Sequence, residues 1–154
     1  MTRKQLGRHM VEIAKDVFGK MIPIPLSMGK PTLRNKEELV DGMSAIVGIA
    51  GSMSALIDVY CSRDAALQIA SVLLEEEISE INEEVLDAIG ELANMLGGAM
   101  KGRLTRAGRQ LELTVPFVIA GDRYTVKRPV NATGVQIPFL LDGKNRFEFT
   151  IIVR

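Results

Sequence analysis

The sequence predicts an α+β domain, in which a mostly antiparallel sheet carries long helices on one face. Strand-like runs stand before and after two helical segments, and turn residues join the runs in pairs. The order of elements lacks the strand-helix alternation of a parallel sheet. With 154 residues, 47% hydrophobic and 25% charged, the chain has the size and composition of one globular domain, which we expect to span residues 1–154.

The first element is predicted as an amphipathic helix over residues 3–18. Leu6, Met10 and Ile13 recur at helical spacing, and Gly19 offers a stop. The segment MIPIPLSMGKP follows, and its three prolines exclude a helix interior or a central strand. We therefore expect a connector or an edge strand there.

Two β-rich runs in SAIVGIAGSMSALIDVY flank Gly51-Ser52 and predict a largely buried hairpin. A second helix follows, with Ser62 as its N-cap and Asp64 in its first turn. Its predicted apolar face consists of Leu67, Ile69, Ala70, Leu73 and Leu74. We expect this helix to end in the acidic loop near residues 75–79, and a long third helix to span roughly residues 80–105.

The last third is predicted as two hairpins, QLELTVPFVIAGDRYTV with Gly121-Asp122 as its turn and GVQIPFLLDGKNRFEFTIIVR with Asp142-Gly143. The residues expected to face inward are Leu111, Leu113, Val115, Phe117 and Ile119 in the first, and Phe147, Phe149, Ile151 and Val153 in the second. The final strand is expected to leave an open sheet edge, which a second copy of the chain could cover.

The charge balance gives no support to a nucleic-acid or membrane partner. The 19 basic and 19 acidic residues cancel, so the chain has no strong overall field. Residues 64–100, however, hold nine acids and no Lys or Arg, and a partner that meets this segment needs positive charge. No secretion signal and no apolar run of about 20 residues is present. A single cysteine, Cys61, fits a reducing cytoplasm, where we expect the protein to act.

The third helix contains the stretch EEVLDAIGELANMLGGAMKGRL, residues 83–104, which carries two opposed faces. At about 100° per residue, the apolar face consists of Val85, Ile89, Leu92, Leu96 and Met100. The opposite side carries a line of residues, here called the polar stripe, which consists of Asp87, Glu91, Asn94, Gly98 and Lys101. A solvated helix face is the plain interpretation of such a line.

Glycines count against that plain interpretation, because each costs a helix about 1 kcal/mol relative to Ala, and four of them lie in or beside this helix. Gly98 either opens a notch beside Asn94 or, with Gly97, lets another helix pack closely. Asn94 cannot act as an acid or base near neutral pH, but its amide can hold a water, as a Gln does in GTPases. Glu91 could pair with a Lys of a partner.

The polar residues outside the polar stripe give weaker indications of function. His9 and Cys61 have no second His or Cys beside them, so we predict no metal site, and the acids Glu84, Asp87 and Glu91 form only an unsupported alternative set. The basic residues at the end of the third helix either complement its dipole or steer an acidic partner. They are Lys101, Arg103, Arg106 and Arg109.

DAIGELANMLGGAMKGRL, preceded by EEVL and followed by LELTVPFVIAG, resembles the CheC/CheX family of chemotaxis phosphatases. The signature of that family is Asp or Ser, three residues, Glu, two residues, Asn, and a Pro about two dozen positions on. Asp87, Glu91 and Asn94 match it, and Pro116 follows after 21 residues where the family more often has 22. The resemblance runs from about Asp41 to the C-terminus, and the signature occurs once, as in the CheX type.

The resemblance implies hydrolysis of the aspartyl phosphate of a CheY-like response regulator that holds its own Mg²⁺, with no cofactor bound by this chain. It implies that Glu91 docks on the regulator's Lys and that Asn94 orients the attacking water. Asp87, Gly98 and Lys101 are expected to contact the partner. The resemblance also implies a homodimer formed through sheet-edge strands.

Two alternatives remain open at this point. One is a non-catalytic dimeric binding module for a response regulator or a flagellar switch component. The other is a structural dimerisation domain like those of flagellar switch proteins, in which Glu91 and Asn94 could be replaced without effect.

Overall fold

The computed structural model describes residues 1–29, 36–105, 110–129 and 132–153. The helices are α1 (Arg3–Met21), α2 (Arg63–Leu73) and α3 (Glu83–Thr105). The strands are β1 (Leu26–Met28), β2 (Lys36–Gly51), β3 (Ala55–Ser62), β4 (Leu111–Leu113), β5 (Phe117–Lys127), β6 (Thr133–Leu141) and β7 (Asn145–Val153). All strand pairs are antiparallel and the helices pack against one face of the curled sheet, which confirms the predicted α+β class.

The strands follow the order β1-β6-β7-β3-β2, and β4 and β5 lie one after the other along the outer side of β2. The last strand, β7, therefore lies between β6 and β3. The expectation that the final strand leaves an open edge was wrong, because both sides of β7 are paired. In the described part of the chain the sheet ends at β1 on one side and at β4 and β5 on the other.

The helix boundaries follow local capping chemistry. Thr2 and Gln5 form a capping box at the start of α1, which continues through Gly19 to Met21, three residues beyond the predicted end. Ser62 caps α2 as predicted, with its hydroxyl 3.2 Å from the N–H of Ala65. The loop before α3 is longer than expected, and the helix begins at Glu83.

Three predicted turns and connectors are confirmed. β2 and β3 form the hairpin around Gly51-Ser52, although β2 begins as early as Lys36. Asp142-Gly143 joins β6 to β7, and both residues have positive φ, 54° and 72°, as a tight hairpin turn requires. The proline-rich segment forms β1, an edge strand on β6; its residues 30–31 lie outside the described ranges.

The predicted turn at Gly121-Asp122 was wrong. β5 runs straight through these two residues and pairs with β2 from Ile46↔Phe117 to Lys36↔Lys127. The physical reason is the length of β2, which at 16 residues offers a partner for the whole of β5. The turn-forming residues lie inside a continuous strand, where the pairing with β2 skips Asp122 opposite Asp41.

A β-bulge separates β4 from β5. Between the pairs Ile49↔Leu113 and Ile46↔Phe117, β2 has two residues and the opposing chain has three. The extra residue reverses which side chains face the helices. The expectation that alternate residues from Leu111 to Ile119 share the inward face was therefore wrong, and the exposed ones are Val115, Phe117 and Ile119, at 86%, 57% and 42%.

The core lies between the helices and the inner face of the sheet. Phe147, Phe149 and Ile151 of β7 are fully buried there, as predicted for the last hairpin, and Val153 is half-buried. Phe147 also packs against Phe18 of α1, with ring centroids 5.2 Å apart.

The outer face of the sheet is partly covered by the sheet itself. β2 kinks at Asp41, which has a φ of 46°, and beyond the kink residues 36–40 remain paired with residues 123–127 of β5. These two segments, here called the ribbon, lie over the outer face, because Glu37 of the ribbon hydrogen-bonds to Gln136 on β6 and Arg146 on β7.

Candidate functional site

The position of α3 is set by two buried glycines that bring it close to the sheet. A Cβ on Gly97 would lie 3.1 Å from Leu113 and 3.2 Å from Val47, and one on Gly90 would lie 3.5 Å from Val118. These neighbours belong to strands, so Gly97 serves helix-on-sheet packing, and the alternative of close packing by another helix was wrong for this residue. α3 lies over β2, β4 and β5 as a result.

The polar stripe lies on the surface side of α3. Asp87, Glu91 and Gly98 are exposed, and Asn94 and Lys101 are half-buried. The apolar face predicted on the other side, from Val85 to Met100, is fully buried. Nothing in the described ranges lies within 4 Å of a Cβ on Gly98, so the surface beside Asn94 is open, and the structure favours the notch over a helix contact there.

The side chains of the stripe are not used to hold the fold together. Among the residues that the structure describes, none forms a hydrogen bond or an ion pair with the side chains of Asp87, Glu91 or Asn94. Asn94 can offer one acceptor oxygen and an NH₂ donor, and the carboxylate of Glu91 can accept a bidentate or charged donor. The stripe thus presents an acid and an amide one turn apart to a molecule that approaches from outside.

The surroundings of the stripe are acidic toward its N-terminal end. The exposed acids of the preceding loop and the first turn are Glu75, Glu76, Glu77, Glu80, Glu83 and Glu84. At the other end, Arg103 turns toward α1, where it pairs with Glu12 at 3.1 Å and contacts Nδ1 of His9 at 2.7 Å. Arg103 is therefore engaged within the fold; Arg106 and Arg109 lie outside the described residues.

Pro116, the last residue of the signature, lies in the bulge between β4 and β5. Thr114 fixes this bulge: its N–H donates to the Gly48 carbonyl at 2.8 Å, and its hydroxyl accepts from the Gly48 N–H at 2.8 Å. The bulge directly follows Leu113, which supports Gly97 of α3. Sequence reasoning missed the bulge, although a proline that cannot donate to a strand ladder was a usable signal.

A group of buried charges on the outer face was also missed. Glu37, Asp58 and Glu148 are at most 6% exposed although they lie on strands. The sequence pattern that could have shown them is a charged residue at alternate positions of otherwise apolar strands. This pattern was missed because it usually indicates positions that face solvent. The ribbon covers these positions, and their role is separate from the polar stripe.

Other candidate features carry no chemistry of their own. No group of three or more potential ligands is arranged to hold a metal ion within the ranges that the structure describes. Cys61 is fully buried, and burial raises the pKa of its thiol far above the usual range, so the thiolate is not accessible. No described helix is long and apolar enough to span a membrane.

The fold and the stripe define a class of protein in which a helix on a curled antiparallel sheet presents an acid and an amide to solvent. A model of the family described as chemotaxis phosphatase CheX matches residues 43–140, and the chain belongs to this family. The CheY-P phosphatase CheX of Thermotoga maritima is 29% identical to it over 117 residues, which cover 75% of this chain and 73% of that relative.

Solved structures agree with this assignment. The chemotaxis protein CheX of Desulfovibrio desulfuricans superposes with a TM-score of 0.84 at 25% identity, over 97% of this chain and 99% of that chain. A chain of the CheX-CheY-BeF3-Mg²⁺ complex of Borrelia burgdorferi superposes with a TM-score of 0.80 at 25% identity, over 96% of both chains.

Proposed function

We propose that this protein, acting as a single domain in the cytoplasm, hydrolyses the aspartyl phosphate of a CheY-like response regulator. The observation that carries the proposal is the polar stripe, where Glu91 and Asn94 lie one turn apart on α3 and hold no partner among the described residues. The relative from Thermotoga is a CheY-P phosphatase, and the Borrelia relative was solved in a complex with CheY, BeF3 and Mg²⁺.

Asn94 is the proposed catalytic residue. Its amide oxygen would accept a hydrogen bond from water and its NH₂ would donate one, so the water is held in line with the phosphorus–oxygen bond. Attack forms a bond from the water oxygen to phosphorus and breaks the bond to the aspartyl oxygen, which leaves as a carboxylate. The Mg²⁺ of the regulator supplies charge neutralisation, and this chain binds no cofactor in the scheme.

The remaining residues of the stripe position the partner. Glu91 would pair with a Lys of the regulator and fix the depth at which Asn94 enters the site. Gly98 leaves space for the approach, and Asp87 and Lys101 flank the contact. Since the surface on the N-terminal side is acidic, the matching face of the regulator should be basic.

The test is the decay of the acyl phosphate on response regulators from the same genome, with and without the protein. Asn94→Ala should lower the rate constant about a hundredfold, equivalent to about 3 kcal/mol for one positioning group. Glu91→Ala should weaken docking and so raise the concentration needed for half-maximal rate. Asp16→Ala is the control, because this exposed acid lies on α1, where its described partner is Lys20 of the same helix. Equal decay with and without wild-type protein for every regulator would refute the proposal.

We also propose that two copies associate through β5. Among the described strands β5 pairs only with β2, so its outer edge can pair with a copy of itself about a two-fold axis. Phe117 and Ile119 on this strand are exposed large apolar residues, as is Leu56 on β3. Burial of such an apolar patch would remove it from water and so favour a dimer.

The oligomeric state tests this second proposal. Sedimentation of wild-type protein should show a dimer, and Ile119→Lys should shift it to a monomer. Leu140→Lys is the control. Leu140 on β6 is 41% exposed, close to the 42% of Ile119, but it lies near the opposite edge of the sheet. If the wild type is a monomer, or if both substitutions dissociate the dimer equally, β5 is not the dimer interface.

A further inference from the structure

The ribbon is held against the outer face of the sheet by buried charged groups, by the hydrogen bonds Tyr60–Val40 and Tyr124–Ser44, and by the buried side chain of Leu39. Glu37 lies on the ribbon and Arg128 directly follows it, whereas Asp58 is on β3 and Arg146 and Glu148 are on β7. The side chains of the three acids and of Arg128 are at most 8% exposed, and Arg146 is 41% exposed at the rim. We call these five residues the buried ion cluster.

The contacts of the cluster cross from the ribbon to the sheet. Arg146 lies 2.7 Å from Glu37 and 2.7 Å from Glu148. Arg128 lies 3.5 Å from Glu37 and 3.8 Å from Asp58. The strength of these four ion pairs depends on which carboxyl groups are ionised, so the docking of the ribbon depends on it in part.

The charges of the cluster do not balance. Among the described residues, three carboxylates face two guanidinium groups, which leaves one negative charge in excess in a site with little water, and such a site favours uptake of a proton. Asp58 is the natural acceptor: its Oδ1 has no hydrogen-bond partner within the described residues. Burial raises the pKa of Asp58 to about 6, with Arg128 opposing the shift. Burial also raises the pKa of Glu148.

Beyond the guanidinium groups of Arg128 and Arg146, no described group around Asp58 carries a positive charge. The remaining groups are Ser44 and Glu37 on β2, Tyr60 on β3, Tyr124 on β5, Gln136 on β6, and Glu148 and Thr150 on β7. The two tyrosines stay neutral near neutral pH, because burial raises the pKa of each.

The ribbon also has a hinge at which it can separate from the rest of the sheet. β2 kinks at Asp41, and the pairing of β2 with β5 skips Asp41 and Asp122, which lie at the same level. A cavity of about 310 Å³ lies at this level, lined in part by Asp41-Gly42, by Gly121-Asp122 and by Arg63 at the start of α2. The ribbon can therefore move about the kink without disturbing the pairing of β3 with β7.

We propose that the ribbon is a proton-linked latch: the buried ion cluster takes up one proton when the ribbon is docked on the sheet and releases it when the ribbon lifts. Because the docked state binds this proton more tightly, docking is firmest in mild acid and weakens as the pH rises toward neutrality. The helix-covered face and the polar stripe keep their structure in both states.

Hydrogen-deuterium exchange of the full chain, corrected for intrinsic rates, measures the opening of the ribbon directly. At pH 7.5, peptides that cover residues 36–40 and 123–127 should exchange well before those of β7. Their opening constant should be about thirtyfold lower at pH 4.5, because the pKa of Asp58 is about 6 in the docked state. Ribbon peptides that exchange in step with β7 at each pH, or without pH dependence, would overturn the proposal.

Substitutions identify the carboxyl group of the buried ion cluster that takes up the proton. Asp58→Asn removes the titrating charge and should hold the ribbon closed equally at both pH values. Glu148→Gln removes the excess charge from a different position and should give the same loss of pH dependence if Asp58→Asn fails to fold. Glu38→Gln is the control on the same strand, since Glu38 pairs with Arg123 on the exposed side. Wild-type pH dependence in both cluster variants contradicts the latch.

Discussion

Replacement of Gly98 by Ala should make the protein more stable and less active at the same time. Gly98 lies in the interior of α3, where Gly costs about 0.8–1.0 kcal/mol relative to Ala. Its new methyl group meets nothing within 4 Å among the described residues, so no steric cost offsets the gain. For a domain of 154 residues, about 1 kcal/mol corresponds to a rise of about 2–4 °C in Tm.

The same methyl group would stand in the notch beside Asn94, on the face proposed to receive the regulator. Overpacking of a close interface costs about 1–3 kcal/mol, so we expect the rate of acyl-phosphate decay at subsaturating protein to fall about tenfold or more. Thermal melting by circular dichroism and the decay assay on one preparation give both quantities.

Gly19→Ala separates the two effects. Gly19 lies in α1, is exposed and also has nothing described within 4 Å of a built Cβ, but it is on a different helix from the polar stripe. It should raise Tm without loss of activity. If Gly98→Ala raises Tm and leaves the decay rate unchanged, the polar stripe is not in the interface with the regulator. If Gly98→Ala lowers Tm, Gly98 does not destabilise α3 as argued above.

Three further substitutions or conditions test the fold. Gly42→Ala should lower the free energy of unfolding, measured in urea, by about 2 kcal/mol, because its Cβ would lie 2.6 Å from the carbonyl oxygen of Cys61, a backbone atom that cannot turn aside. Thr114→Val should cost about 1 kcal/mol, since it removes the acceptor of the Gly48 N–H at the bulge. The free energy of unfolding should fall by about 2 kcal/mol from pH 4.5 to 7 through Asp58, whose pKa is raised to about 6 in the folded state, and Asp58→Asn should abolish that fall.

The features that could be predicted from the sequence depend on neighbours within a few residues. The polar and apolar faces of α3 follow from a 3.6-residue repeat, the start of α2 from the Ser62 hydroxyl, and the last turn from Asp142-Gly143. Each is determined by the local chain, whatever packs against it. The candidate site was accessible to sequence reasoning for the same reason, because it lies on one helix.

The features that were predicted wrongly depend on distant partners. Gly121-Asp122 has the chemistry of a turn, but residues 36–51 form one long strand and pair with both sides of it. The bulge before Phe117 is a difference of register between two strands more than 60 residues apart in sequence, which no short window contains. Burial of Glu37 likewise depends on the ribbon folding back over β6 and β7.

The central position of β7 has a consequence for how the protein is made. On the ribosome, β3 and β6 are synthesised before the strand that joins them, so the emerging chain holds two half-sheets with unsatisfied inner edges. The sheet closes only when residues 145–153 leave the exit tunnel and add hydrogen bonds on both sides. Until that moment the nascent chain is exposed to aggregation, and we expect chaperones to stay bound to the chain until this strand has paired.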